Sequence, residues 1–117
     1  MNKLENQNKK EINLSVVIMV FNEVSTIQEA ILKVNGAFDE ISGNNEIVVI
    51  DDGSDDGTTE LIDEVIRDLN YARVINFPEN RGLGAVYKTG LKEAHGEYIT
   101  FFPADNQFSP SIIKEGS

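Results

Sequence analysis

The sequence predicts an α/β fold: a Rossmann-like parallel sheet in which strands and helices alternate in the order βαβαβαβ. Short apolar runs rich in β-branched residues, of which residues 14–20 are the first, are typical of strands buried on both faces. The segments between these runs carry apolar residues every three or four positions, which is typical of amphipathic helices. Single helices between buried strands favour a mostly parallel sheet with right-handed crossovers.

The elements can be assigned in order along the chain. The first strand covers residues 14–20, and the helix after it has an apolar stripe from Ile27 to Ile41, with Ser25 and Gln28 spaced as a capping box. The remaining elements are a strand over 46–50, a helix with an apolar face from Leu61 to Leu69, a strand over 73–76, a helix from Leu83 to Ala94 and a strand over 97–102.

Length and composition limit the classes of protein to which the chain can belong. Its 117 residues suit one domain, which we place at 14–117, after a flexible polar leader over 1–13. The formal net charge of −10 disfavours binding to nucleic acid or anionic lipid, because such a surface repels phosphate groups. The chain has no cysteine, and no apolar run reaches the roughly 18 residues of a membrane span. We therefore expect a cytoplasmic protein without disulfides or zinc–thiolate sites.

Acidic residues follow three of the predicted strands at the point where each strand ends. Glu23 follows the first strand, Asp51 and Asp52 follow the second, and Asp105 follows the fourth. Ligands of open α/β sheets bind at the carboxyl ends of the strands, so we expect these side chains to lie along one edge. Two kinds of binding suit carboxylates gathered there: hydrogen bonds to a ribose and base, and coordination of a hard cation that faces phosphate groups.

Each of these clusters also has a purely structural interpretation. Residues 51–54 are typical of a tight turn followed by a helix N-cap, and residues 22–23 could form an ordinary turn. Residues 81–84 could simply begin a helix, and residues 105–107 could be a turn ahead of Pro110. Their common location at one edge of the predicted sheet favours a binding site over four unrelated turns.

Four segments of the chain form an ordered set of motifs. They are LSVVIMVFNE over 14–23, IVVIDDGSDDGT over 47–58, ENRGLG over 79–84 and GEYITFFPAD over 96–105. In this order and spacing they resemble the family 2 glycosyltransferases, which have a GT-A fold, and especially the polyprenyl-phosphate (dolichyl-phosphate-type) sugar transferases. The resemblance extends from Leu14 to Pro110 and implies the N-terminal, nucleotide-binding half of that fold.

The resemblance implies a binding site for a nucleoside-diphosphate sugar. Val20 and Phe21 would pack on the nucleotide base, and Glu23 would bind the ribose. Asp52, together with Asp51, would hydrogen-bond the base or the ribose.

The resemblance also implies a divalent cation, Mn²⁺ or Mg²⁺, between the protein and the donor's diphosphate. Asp105 matches the last acid of the family's Asp-x-Asp metal motif, and Gln107 matches a further position on the metal side. Such a cation would stabilise the leaving nucleotide as charge develops on it. Pro103 stands where the first acid of the motif is usual, so one potential ligand is absent.

The resemblance further implies that the acceptor-side base belongs to a following half of the fold. We therefore name no catalytic residue in this chain, and we expect it to bind the donor without turning it over. The acceptor implied is a polyprenyl phosphate at the cytoplasmic face of a membrane. The rival hypothesis is a degenerate, non-catalytic module with a regulatory or assembly role. In either case, the outer side of the fourth strand is expected to be a free sheet edge suited to self-association.

Overall fold

The structure is a computed structural model, and it describes residues 11–105. Within this range strands and helices alternate in the predicted order, and the first strand has the predicted bounds. The elements are β1 (Leu14–Val20), α1 (Ile27–Ala37), a short 3₁₀-helix (Phe38–Glu40), β2 (Asn45–Asp51), α2 (Thr58–Ile66), β3 (Ala72–Asn76), α3 (Leu83–Glu93) and β4 (Tyr98–Pro103).

The strands form one parallel sheet in the order β3-β2-β1-β4. The chain builds outward from β1 to β2 and β3, and then returns to the other side of β1 to add β4. The strand order therefore reverses between β1 and β4, which is where open α/β sheets bind their ligands. The register aligns the strand ends there, since Val20 pairs with Asp51 and Met19 pairs with Pro103.

The helices cover both faces of the sheet. Alternate side chains of β1 enter opposite layers of the core, as the period of a strand requires. Val16 and Ile18 belong to the layer shared with α1 and α2, whereas Val17 belongs to the layer that includes Val86 of α3. Apolar burial on both faces explains why β1 and β2 are almost continuous apolar runs.

A buried polar network joins the strands at the opposite, amino edge of the sheet. The carboxylate of Glu46 accepts hydrogen bonds from the Ser15 hydroxyl at 2.5 Å and from the His95 backbone N–H at 2.8 Å. Arg73 of β3 lies 3.7 Å from the same carboxylate, and the Gly96 N–H donates to the Ser15 hydroxyl at 2.7 Å. Glu46 thus links β1, β2, β3 and the turn that leads into β4.

The start and end of α1 differ from the prediction. The helix begins at Ile27 with Thr26 as its N-cap and without a side-chain capping bond, so the expected capping box of Ser25 and Gln28 is wrong. The Thr26 hydroxyl instead donates to the Ala104 carbonyl at 2.8 Å, a tertiary contact, so it caps no backbone N–H of the helix. At the other end the α-helix stops at Ala37. The last two apolar residues of the predicted stripe, Phe38 and Ile41, therefore lie in the 3₁₀-helix and at its C-cap.

The outer parts of the described chain bear on three further expectations. β4 forms one edge of the described sheet, and self-association through that edge stays a prediction. Asn13 of the predicted leader is held by backbone hydrogen bonds from Asn13 to Asn44 (2.7 Å) and from Tyr98 to Asn13 (2.9 Å). Among residues 11–105, no helix combines the length and apolar character needed to cross a membrane.

Candidate functional site

Four loops meet at the carboxyl edge of the sheet, and we call them together the carboxyl rim. They are residues 21–26 after β1, residues 52–57 after β2, residues 77–82 after β3 and residues 104–105 after β4. The strand pairing continues into these loops, because the backbone N–H of Asp52 donates to the Val20 carbonyl and the backbone N–H of Ala104 donates to the Met19 carbonyl, both at 2.9 Å. The rim contains Phe21, Glu23, Asp52 and Asp105, and Val20 and Asp51 end the strands beneath it.

Asp51 is used within its own turn. Its side chain is buried, one carboxylate oxygen accepts the Ser54 N–H at 3.0 Å, and the other accepts the Thr59 hydroxyl. These bonds connect the end of β2 to the first turn of α2. The side chain of Asp51 therefore stabilises the loop of residues 52–57.

Asp52 holds the loop after β3. Its carboxylate accepts the backbone N–H of Arg81 at 2.7 Å, the N–H of Gly82 at 3.0 Å and the side-chain amide of Asn80 at 3.1 Å. Asn80 also donates to the Asp52 carbonyl at 3.2 Å. Only 6% of Asp52 is exposed, and three of the roughly four acceptor positions of a carboxylate are taken.

Gly53 makes this close approach of two loops possible. Its φ of +80° lies in the left-handed region, and a Cβ atom there would stand 2.4 Å from the Glu79 carbonyl carbon and 2.5 Å from the Asn80 nitrogen. No side chain fits in that space. The glycine of the Asp-Asp-Gly-Ser segment is thus required by the contact between the loops after β2 and β3.

Asn22 joins the loops after β1 and β2. Its backbone N–H donates to the Ser54 hydroxyl, and its side-chain oxygen accepts the Asp55 N–H, both at 2.8 Å. Asn22 has a φ of +52°, a conformation that asparagine tolerates better than most residues. Val24 adds a weaker bond to the carboxylate of Asp56 at 3.4 Å.

A further contact joins the loops after β1 and β4. The Thr26 hydroxyl lies 2.8 Å from the Ala104 carbonyl and 3.2 Å from Glu23 Oε1. Glu23 is half-buried, and among residues 11–105 its second carboxylate oxygen has no hydrogen-bond partner. Glu23 follows β1, where the strand order reverses, so this oxygen can accept a hydrogen bond from a ligand at that edge.

The two residues expected to pack on a base differ in exposure. Phe21 is 44% exposed, whereas Val20 is 3% exposed and belongs to the core. Of these two residues, only Phe21 has side-chain surface that a base could stack on.

The loop after β3 carries a positive charge. The guanidinium of Arg81 lies 4.9 Å from the ring centre of Phe77, which is a cation–π geometry.

The cation-binding prediction rests on the loop after β4. Asp105 is exposed there, and Gln107 lies outside the described residues. Within residues 11–105, no group of three histidine, cysteine or acidic side chains is arranged to hold a metal ion. The described part of the chain thus offers one carboxylate at this position, and a bound cation would need its other ligands from the donor's phosphates and water.

One carboxylate of the rim has a perturbed acidity. The hydrogen bond from the Thr58 side chain, with smaller contributions from backbone N–H groups, lowers the pKa of Asp56 below its usual value of 3.8. Asp56 also accepts the Thr58 N–H at 3.0 Å and so stabilises the start of α2. Asp56 is thus an anion at neutral pH and holds the loop in place.

Sequence reasoning assigned no binding role and no contact between loops to three of the residues that connect the loops: Asn22, Ser54 and Asn80. One signal was available for Asn22, since asparagine between a strand and a helix is a frequent carrier of positive φ. Ser54 and Asn80 act on partners about thirty positions away in the chain, so only the strand order reveals them.

The fold and the rim together define an α/β domain of the GT-A type. Comparison with known proteins gives the family: the profile of glycosyl transferase family 2 matches residues 15–115, and the chain belongs to that family. A dolichyl-phosphate beta-glucosyltransferase of Saccharomyces cerevisiae is 37% identical over 117 residues, with 95% of this chain and 35% of the relative covered. An undecaprenyl-phosphate 4-deoxy-4-formamido-L-arabinose transferase of Aeromonas hydrophila is 36% identical over 109 residues, with 91% and 33% covered.

Solved structures show the same fold. The mannosyltransferase PcManGT from Pyrobaculum calidifontis, solved with GDP-Man and Mn²⁺, superposes with a TM-score of 0.70 at 22% identity, covering 88% of this chain and 32% of that one. Staphylococcus aureus TarS with UDP-GlcNAc gives 0.70 at 24% identity, covering 89% and 30%. The chain spans about a third of the length of the relatives and structures that it matches.

Proposed function

We propose that this chain binds a nucleoside-diphosphate sugar at the carboxyl rim and serves as the donor-binding part of a glycosyltransferase. The observation that carries the proposal is the joining of the rim's loops into one unit. Asn22 and Ser54 connect the loops after β1 and β2, Asp52 connects the loops after β2 and β3, and Thr26 connects the loops after β1 and β4. A rim held in this way offers a ligand fixed polar groups, with little ordering cost on binding.

The proposed contacts follow from what each side chain has left to offer. Phe21 presents ring surface on which a base can stack. Glu23 has a free carboxylate oxygen, which suits the hydroxyl donors of a ribose. Asp52 fixes the loop after β3 and has about one acceptor position left for an N–H or O–H group of the nucleoside.

The proposal includes a divalent cation. Two observations support it: Asp105 has a carboxylate, which is a suitable ligand, and the PcManGT structure holds Mn²⁺ together with GDP-Man. When bound, it would neutralise the charge that develops on the leaving diphosphate. Asp105 is the described carboxylate that would hold it, and Gln107 is the second candidate. One or two protein ligands imply that the cation binds the chain weakly until the donor's phosphates complete its coordination.

For the acceptor we propose a polyprenyl phosphate at the cytoplasmic face of a membrane. The names of two relatives described above include a polyprenyl phosphate, undecaprenyl phosphate in one and dolichyl phosphate in the other. A phosphate oxygen is already ionised at neutral pH, so such an acceptor has less need of a general base than an alcohol has.

Titration of the isotope-labelled chain with UDP and GDP, each with and without Mn²⁺, tests the donor site. We expect amide shifts in the rim loops, stronger with Mn²⁺, and at least about tenfold weaker binding in Glu23→Ala, which loses a charge-assisted hydrogen bond. Glu64→Ala, on the outer surface of α2, is the matched control and should bind as the unaltered chain does. A folded chain with no rim shifts for either nucleotide would refute donor binding.

A second candidate function is a non-catalytic module of the same family with a regulatory or assembly role. Pro103 favours it, because a proline at that place carries no side-chain oxygen for a cation. This candidate predicts that nucleotide binding, if present, is unchanged by Mn²⁺ and by Asp105→Asn. Loss of the Mn²⁺ effect in Asp105→Asn would instead support the transferase.

A further inference from the structure

Helix α3 has an exposed face that is both apolar and basic. The side chains of Leu83, Tyr87 and Leu91 are 60%, 39% and 59% exposed, and they follow one another at intervals of four residues. Residues at this spacing lie on one side of a helix, so they form a column about 12 Å long. Lys88 and Lys92 are exposed in the adjacent column. We call these five side chains the outer face of α3.

The outer face of α3 differs in charge from the rest of the molecule. The chain has 10 basic and 20 acidic residues, yet none of the exposed residues of α3 is an acid. Glu93, at the end of the helix, is half-buried and accepts a hydrogen bond of 3.3 Å from the guanidinium of Arg73. Within residues 11–105, Lys88 and Lys92 have no ion-pair partner. Two positive charges are therefore held beside exposed leucines without a counter-charge from the described chain.

The packing of α3 on the sheet keeps its leucines exposed. The ring of Tyr87 contacts Phe101 of β4 edge-on, with ring centres 4.6 Å apart. On the side of α3 that faces the sheet, a Cβ at Gly90 would stand 2.8 Å from Phe101 and 3.0 Å from Val17. Rotation of the helix would bring larger side chains into this contact, so α3 cannot turn inward to bury the column. Exposed apolar residues that lie together in this way indicate an interaction surface.

We propose that the outer face of α3 docks on an anionic phospholipid membrane. A helix that lies in the headgroup region inserts its apolar side chains, while its basic side chains meet the lipid phosphates. Leu83 and Leu91 supply the apolar groups, and Tyr87 suits the boundary between the apolar and polar regions. The stems of Lys88 and Lys92 can lie along the apolar column while their ammonium groups reach the phosphates.

The overall charge of the protein makes this a short-range contact. The net charge of −10 repels an anionic surface as the protein approaches it. Charges more than about 10 Å apart are largely screened at 0.1 M salt, so contact depends on the charge of the face that meets the membrane. The proposal thus restricts to the remaining surface the expectation that the net charge disfavours anionic lipid.

Docking through α3 would bring the carboxyl rim close to the membrane. α3 begins at Leu83, directly after the rim loop of residues 77–82, so the rim lies at one end of the outer face. A donor site in that place could serve an acceptor whose phosphate stands at the membrane surface. This consequence rests on the proposed function, whereas the docking itself depends only on α3.

Flotation of the full chain with vesicles tests the docking. One set of vesicles is phosphatidylcholine, and the other is phosphatidylcholine and phosphatidylglycerol in equal amounts. We expect binding to the anionic set alone, weakened at least about tenfold when NaCl rises from about 0.1 M to about 1 M and the Debye length falls to about 3 Å. Equal binding to both sets, or binding to neither, would overturn the proposal.

A pair of double variants separates the outer face from general charge. Lys88→Gln combined with Lys92→Gln should weaken binding to the anionic vesicles at least about tenfold, because two attractive charges are lost. Lys33→Gln combined with Arg67→Gln removes the same charge from α1 and the end of α2, on the other face of the sheet, and is the control. This control should keep at least about half of the affinity. Equal losses in the two double variants would contradict a defined docking face.

Two exposed leucines provide the matched test of apolar insertion. Leu91→Gln should weaken vesicle binding at least about threefold, because its side chain no longer gains from burial among the lipids. Leu32→Gln is the control, since Leu32 of α1 is 46% exposed on the other face of the sheet. Both variants alter exposed side chains, and the dispersion of their amide spectra shows whether each is folded. Unchanged binding of a folded Leu91→Gln would count against insertion.

The docking and the donor site can fail independently. Leu91→Gln should leave the nucleotide-induced shifts of the rim unchanged, since Leu91 lies more than two turns along α3 from the rim. Glu23→Ala should weaken nucleotide binding and leave vesicle binding as it is. A dimer that Leu91→Gln dissociates, in a chain that binds no vesicles, would make a second copy the occupant of this face and refute the membrane.

Discussion

Asn22 and Ser54 lie 32 residues apart in the sequence, and the backbone N–H of Asn22 donates a hydrogen bond of 2.8 Å to the Ser54 hydroxyl. The contact exists because β1 and β2 are neighbours and end in register. It joins a loop that carries Phe21 and Glu23 to a loop that carries Asp52. The geometry of the rim is thus set by the protein itself before a ligand arrives, which lowers the cost of ordering on binding.

Removing the Ser54 hydroxyl tests this connection. Ser54→Ala leaves the Asn22 N–H without its protein acceptor, and we expect a loss of about 0.5–1.5 kcal/mol in the free energy of unfolding, measured with urea. Nucleotide binding should weaken as well, since the loop after β1 is then less ordered. Ser42→Ala, in an exposed loop at the other edge, is the control. Equal stability of Ser54→Ala and the unaltered chain would show that water replaces the contact.

Gly53→Ala should be one of the more damaging small substitutions at the rim. The new Cβ would overlap the Glu79–Asn80 backbone at 2.4–2.5 Å, and the residue would have to keep a φ of +80°. Strain and overpacking together are expected to cost about 3 kcal/mol, measured by urea unfolding. Gly36→Ala is the control, because nothing lies within 4 Å of its Cβ position. A loss below about 1 kcal/mol would mean that the loop after β3 can move away freely.

Two glycines of α3 give a matched pair for the packing of that helix on the sheet. A Cβ at Gly90 would meet Phe101 at 2.8 Å and Val17 at 3.0 Å, whereas a Cβ at Gly84 meets nothing within 4 Å. We expect Gly90→Ala to lower the free energy of unfolding by about 1–3 kcal/mol. Gly84→Ala should be neutral or stabilising by up to about 1 kcal/mol, as alanine favours a helix. The same sign for both variants would contradict the close packing at Gly90.

The acidity of Asp56 gives a pH-dependent prediction. Since its pKa is lower in the folded chain than the usual 3.8, the unfolded chain binds this proton more readily. The stabilisation from Asp56 is therefore present above pH 3.8 and is lost as the pH falls through the lower folded value. Thr58→Val removes the hydroxyl and should raise the pKa of Asp56 toward 3.8, followed by carboxyl NMR titration. Thr89→Val, in the middle of α3, is the control and should leave the pKa of Asp56 unchanged.

The strands and their order along the chain were predictable because apolar burial on both faces leaves a periodic signature in the sequence. β1 was predicted with its observed bounds, and the position of Asp51 at the end of β2 followed from the apolar run before it. The start of α1 was not predictable from local pattern. The N-cap residue Thr26 makes its side-chain hydrogen bond to Ala104, 78 residues away, and not to a backbone N–H of the helix, so no local capping signal marks the start.

For the site, the sequence indicated which residues lie at the carboxyl edge but not which of them remain available to a ligand. Asp51 and Asp52 are adjacent acids in the same motif, and either could contact a nucleoside on sequence grounds. In the fold, both oxygens of Asp51 are used by its own turn, and Asp52 holds the loop that contains Arg81. That division depends on distant N–H groups, which no local pattern records.

The Glu46 network has a consequence for how this domain can change. It fastens β1, β2, β3 and the turn before β4 at one end of the strands, while the rim occupies the other end, about 20 Å away along a seven-residue strand. Protein engineers can therefore diversify the exposed positions 24, 25, 55 and 79 to search for new binding preferences without altering the Glu46 network that joins the strands. In such a library, folding and specificity can be selected almost separately.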